Sequence, residues 1–168
     1  MPVLRRRLPS SQRSRLDLRP GDQVLVAITL TDGAELVATR RALHVLAGDE
    51  VARSPWSDVE RGSLDPESRV LSVAWVWGTT SRLTFPDDRS AYAFTQTFKE
   101  RVQQSVVHAR SVPLPGGRTA SVAVRRDEEG ELFVQVTGAT DADLQDASVA
   151  RAVDAAEREV REAVGLPG

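Results

Sequence analysis

No cysteine occurs among the 168 residues, which excludes disulfides, thiolate zinc sites and a cysteine nucleophile together. Lysine is nearly absent as well: Lys99 stands alone beside 21 arginines, a bias that reads as base composition of the coding sequence rather than as chemistry. Histidine is limited to His44 and His108. Neither has a second histidine or carboxylate at the i, i+4 spacing of a zinc helix, so no metal and no cofactor is expected and both read as structural or surface residues. No apolar run approaches the ~20 residues that span a bilayer, and the N-terminus lacks the apolar region of a signal peptide. The expected location is therefore cytoplasmic.

Catalytic signatures are missing in the same way. There is no G-x-S-x-G elbow, and Gly116-Gly117 lacks the G-x-x-x-x-G-K-[ST] pattern of a phosphate loop, so the stretch Pro113-Leu114-Pro115-Gly116-Gly117 reads as a linker. Asp141 to Asp146 invites a calcium reading, but an EF-hand loop needs glycine at its sixth position and glutamate at its twelfth, where Asp146 and Ala152 stand. Negative charge at a helix entry explains those acids better. No enzyme is expected and no catalytic residue is assigned. A site assembled from scattered loop residues, which leaves no local signature, stays open as a third reading.

What is present is the composition of an ordinary folded protein, 40% hydrophobic and 27% charged, in a chain long enough to bury roughly 68–70% of its unfolded surface. The net charge of −2 is unevenly spread. Met1 to Arg19 carries six arginines against one aspartate, and Asp141 to Gly168 carries seven acids against three arginines.

Periodicity divides the chain into an Arg-rich arm (1–19), a β-rich unit (20–110) and a ββα appendage (111–168). After Pro20-Gly21, Gln23 to Thr31 alternates as a strand, and Asp32-Gly33 predicts a type I′ hairpin into Ala34 to Thr39. Arg40-Arg41 turns the chain without tolerating positive φ, so a type I turn leads to a third strand, Ala42 to Ala47. Glu50 to Trp56, Ser57 to Leu64, Arg69 to Trp77 and Ser81 to Phe85 make seven strands, with Gly62 as a candidate bulge. Arg89 to His108 then carries Ala91, Phe94, Phe98, Val102 and Val106 at helical spacing behind an aspartate cap. Beyond the glycine pair, Thr119 to Val124 and Glu131 to Val136 read as a hairpin. Asp146 caps a last helix, Ala147 to Val164, whose stripe is Val149, Val153, Ala156, Val160 and Val164.

Seven short antiparallel strands closed by one helix is the order of the pleckstrin-homology-like fold. Leu36-Val37-Ala38-Thr39-Arg40-Arg41-Ala42-Leu43 resembles the hairpin of bacterial PH-like and GRAM-like domains, and Pro55-Trp56-Ser57-Asp58-Val59 resembles the step that follows it there. With Arg101-Val102, Ser105-Val106-Val107 and Arg125-Arg126, the chain as a whole is similar to a group of small proteins from high-GC Gram-positive bacteria. The resemblance implies an α+β fold, a PH-like seven-stranded antiparallel β-barrel or sandwich capped by a helix, with an added β-hairpin plus helix. It implies no function, because that scaffold hosts many. In PH domains a basic cluster flanks the first hairpin loop, whereas this loop has Asp32 and Glu35, which argues against phosphoinositide binding there.

Two functional readings follow. The first is a non-catalytic interaction or assembly module, with protein partner or self-association through Pro55 and Trp56 or through the stripe of Val149, Val153 and Val160 if that stripe is not covered internally. The alternative is peripheral binding to an anionic membrane through Arg5, Arg6, Arg7, Arg13 and Arg15. Arg40-Arg41 and Arg125-Arg126 lack neighbouring aromatics for base stacking, so no nucleic acid is expected and both pairs read as solvated. Trp75 and Trp77, two apart on one strand, share a face with Val73 and read as core or as covered within the chain; were that face exposed, the two indoles would make a large apolar patch for a partner or for the C-terminal helix.

Overall fold

The computed structural model describes residues 8–168. It is an α+β fold of three antiparallel sheets. One helical turn, α1 (Ser10–Arg13), precedes a four-stranded meander of β1 (Val24–Thr29), β2 (Glu35–Thr39), β3 (Ala42–Ala47) and β4 (Glu50–Pro55). A 3-10 turn, Trp56–Asp58, leads to a three-stranded sheet of β5 (Val59–Asp65), β6 (Val70–Trp75) and β7 (Thr80–Thr84), and α2 (Asp88–Ser105) follows.

These seven strands do not close into a barrel. The chain leaves the first sheet at Pro55, which has no N–H to extend a ladder, and the 3-10 turn redirects it into a separate sheet. The two sheets share a core filled by α2: Leu36, Ala38 and Leu43 from the first, Val59, Leu71 and Val73 from the second, and Phe94, Phe98 and Val102 from the helix. Asp87 caps α2 by accepting from the Ser90 N–H at 2.7 Å. Gly62 is needed here for space, since a Cβ on it would lie 2.2 Å from Phe98 Cε1. The sheet irregularity falls just before it, between Val59 and Arg61.

Turn chemistry differs from expectation at the first hairpin. Asp32 keeps negative φ and only Gly33 is left-handed (φ 88°), its N–H reaching the Leu30 carbonyl at 3.0 Å. That is a three-residue loop with glycine in the αL position rather than a two-residue type I′ turn. At Arg40-Arg41 neither residue has positive φ, as arginine requires.

The C-terminal part holds a strand more than the sequence shows. Instead of continuing to His108, α2 stops at Ser105, and Val106 starts β8 (Val106–Pro113), which pairs with β9 (Thr119–Arg126), itself paired with β10 (Leu132–Thr137). The proline-glycine stretch is therefore no linker but the β8–β9 connection, closed by the Leu114 N–H on the Arg118 carbonyl at 2.9 Å, with Gly116 and Gly117 at φ 76° and 74°. The added unit is thus a three-stranded sheet, not a hairpin, covered by α4 (Ala147–Ala163), against which the short α3 (Asp141–Gln145) packs. Asp146 caps α4 as expected.

Candidate binding cleft and exposed tryptophan pair

The stripe of α4 answers the condition placed on it. Val149, Val153, Ala156 and Val160 are buried with Val112, Val122 and Val124 of the third sheet, so this apolar face is covered within the chain. Trp56 is likewise interior, 5% exposed, edge-on to Phe98 with centroids 5.6 Å apart. Pro55 is half-buried at the end of β4. Arg5, Arg6 and Arg7 lie outside the described residues. Arg13 is exposed at the end of α1, while Arg15 donates to the Gly48 carbonyl and Arg19 pairs with Glu128 and Glu129.

Arg125, expected to be solvated, is 2% exposed. From the centre strand of the third sheet it donates to the Val59 carbonyl at 2.7 Å, the Trp56 carbonyl at 2.9 Å, Gln135 Oε1 at 3.1 Å and the Ser105 hydroxyl. Gln135 adds a bond to the Ser57 carbonyl at 3.0 Å. One face of the third sheet, through Arg125 on β9 and Gln135 on β10, thus grips the 3-10 turn and the start of β5. Burial lowers the Arg125 pKa, partly offset by the nearby Asp58 and Glu60.

Around this joint lies a cleft of about 160 Å³ lined by Arg40, Arg41, Trp56, Arg101, Arg126 and Glu128, among others. Its arginines come from three places: the β2–β3 turn, the last turns of α2, and the end of β9. The turn that presents Arg40 and Arg41 is pinned from behind. Asp22 accepts from the Arg41 N–H at 3.2 Å and from the Thr39 hydroxyl at 2.9 Å, and Trp56 Nε1 donates to the Thr39 carbonyl at 3.0 Å. Among the described residues no carboxylate pairs with the side chains of Arg40, Arg41, Arg101 or Arg126. Arg101 Nε is buried without a partner. The acids of the cleft are engaged elsewhere. Glu128 pairs with Arg19 and with Arg53 at 2.7 Å, and Asp127 accepts from the backbone of Glu129 and Glu131 at 3.0 and 2.8 Å.

The second feature is aromatic. β6 ends at Trp75, so Trp77 falls in the following turn and is 58% exposed rather than core. Its ring stacks on that of Trp75 at 5.2 Å and 2° between planes. Both indole N–H groups are tied locally, Trp75 to Ser81 Oγ at 2.8 Å and Trp77 to Thr79 Oγ1 at 2.7 Å. Strand alternation would have kept both inward only if the strand had run on through Trp77.

The acidic run at 141–146 is accounted for by structure. Thr140 and Asp143 form a reciprocal capping box, and Arg118 grips the Asp143 carboxylate at 2.6 and 3.0 Å, holding its pKa far below the usual carboxylate range. Among the described residues no group of three or more His, Cys, Asp or Glu is placed to hold a metal ion. No described helix is long and apolar enough to cross a membrane. No family model, curated protein or solved structure matches the chain.

Proposed function

We propose that the protein is a non-catalytic interaction module on a PH-like scaffold, in which the seven strands and α2 are the domain proper and the third sheet with α4 is a buttress fastened by Arg125. The observation that carries this reading is the Trp75–Trp77 stack. Two indoles in van der Waals register, one of them mostly exposed, form an apolar ridge whose N–H groups are already satisfied. Such a ridge loses little side-chain freedom when a partner covers it, and tryptophan is the residue most enriched where binding energy concentrates. The partner in this reading is a protein surface with an apolar recess.

The Arg-rich arm supports membrane attachment less well, because Arg15 and Arg19 already serve contacts within the fold. Phosphoinositide capture at the first hairpin finds no basic cluster there: Glu35 accepts from the Thr29 hydroxyl beside Asp32.

Affinity capture from an extract of the source organism, run in parallel with wild type and Trp77→Ala, tests the ridge. Partners recovered by wild type should drop at least tenfold on the variant while its melting temperature stays within a few degrees. Equal recovery on both proteins would sink the assignment of the ridge.

A further inference from the structure

The arginine cleft is a separate feature, on different residues from the tryptophan ridge. We infer that it is a binding site for a phosphate monoester group. The first reason is unbalanced charge. Arg40, Arg41, Arg101 and Arg126 all line one cleft, and none of their guanidinium groups pairs with a carboxylate of the described residues. Counting Asp127 and Glu128 in full against them leaves an excess of two positive charges. Glu128 is in fact neutralised from the other side by Arg19 and Arg53. The carbonyl end of α2 opposes this by only about half a charge. A phosphate monoester carries about −1.5 to −2 at neutral pH and matches the excess, whereas one carboxylate leaves half of it.

The second reason is geometry. Guanidinium forks bind phosphate oxygens in pairs of parallel hydrogen bonds, and here the cleft is lined by arginines from three separate elements, the β2–β3 turn, α2 and β9. Asp22 and Trp56 hold the backbone of the turn in place, so the Arg40-Arg41 forks start from a fixed base. Arg101 Nε, buried without a partner, supplies a donor whose desolvation is uncompensated until an acceptor arrives. The third reason is size. At about 160 Å³, room for about five waters at ~30 Å³ each, the cleft is large enough for a phosphoryl group.

The phosphate can belong to a soluble ester or to a lipid headgroup, and the two are separated by probe. Calorimetric titration with glycerol 3-phosphate serves the first, and co-sedimentation with phosphatidylcholine vesicles carrying phosphatidic acid serves the second. Succinate, a dicarboxylate of equal charge, controls for charge alone. Saturable binding of either phosphate probe, weakened at least tenfold in Arg101→Gln and in Arg40→Gln, is the expected result. Binding to vesicles alone identifies a lipid phosphate, to the ester alone a soluble one, and to both the phosphate group itself. No binding of either probe, equal binding of succinate, or wild-type binding by the variants overturns the site. Arg40 is exposed, so its variant carries the test even where Arg101→Gln disturbs the fold. Failure here leaves the tryptophan ridge untouched, since Trp77→Ala reads that surface independently.

Discussion

His44 lies fully buried on β3, and neither of its ring nitrogens has a hydrogen-bond partner. Across the ladder it faces Val37 on one side and Arg53 on the other. Burial pushes its pKa below the ordinary 6.5 and the Arg53 charge pushes it further, while Asp22, the nearby Val37 backbone (too poorly aligned for a full hydrogen bond) and Asp17 pull it partly back. A neutral imidazole in the folded state and a titratable one in the unfolded state mean that the unfolded chain binds more protons below about pH 6.5. The stability is therefore whole above that pH and declines as the pH falls beneath it. Asp65, Asp87, Asp143 and Asp146 are all held lower than free carboxylates, so their loss belongs to a separate window below about pH 4. Thermal melts between about pH 7.5 and 5 should show a falling melting temperature in wild type and a flatter profile in His44→Leu. Parallel profiles for the two proteins would refute the assignment.

At the level of elements, α4 shows how a covered face behaves. Val153 sits in the middle of the stripe against Val122 and Val124, and Val153→Asp places an unpaired carboxylate there. The expected cost is on the order of 3 kcal/mol or more, seen as a melting temperature lowered by roughly 6–12 °C. An unchanged melting temperature together with a change in molecular mass by light scattering would return the stripe to the surface. This helix, its Asp146 cap and the stripe are legible in the sequence because 3.6-residue periodicity survives any tertiary context. So are β1 to β7, within a residue or two, and an aspartate cap of α2, at Asp87 or Asp88 by sequence and at Asp87 in the structure. The strand β8 is not legible, since Val106 lies four residues after Val102 and extends the helical stripe of α2 without a break. Nor is the β8–β9 turn, because prolines and glycines mark a tight connection and a linker with the same letters. The cleft was half visible: Arg40-Arg41 stands out, but Arg101 is one charge on a helix face, and nothing local tells that Arg126 is exposed while Arg125 is buried. Burial of Arg125 is decided by carbonyls 66 and 69 residues away.

At the scale of the whole molecule, Arg125 is the most buried of several side chains that join its two parts, alongside Gln135 on Ser57 and the pairs of Arg19 and Arg53 with Glu128. Arg125→Met retains the apolar stem but removes one charged donor from each of the Trp56 and Val59 carbonyls, the former keeping only the Val59 N–H, which should cost about 2 kcal/mol in urea unfolding. A change within about 0.5 kcal/mol would show that the joint is held by other means. The N-terminal segment makes a comparable long-range contact. Leu16, with Leu8 and Leu18 beside it, covers Val37 and Leu46 on the outer face of the first sheet, and Arg19 reaches the β9–β10 turn. Removing residues 1–19 therefore does not subtract charge alone. It strips an apolar sheet face, and a protein cut that way would adhere to vesicles, plastic and itself for reasons unrelated to its own arginines. Shortened versions should end before Leu8, and charge is better removed by point replacement at Arg13 than by deletion.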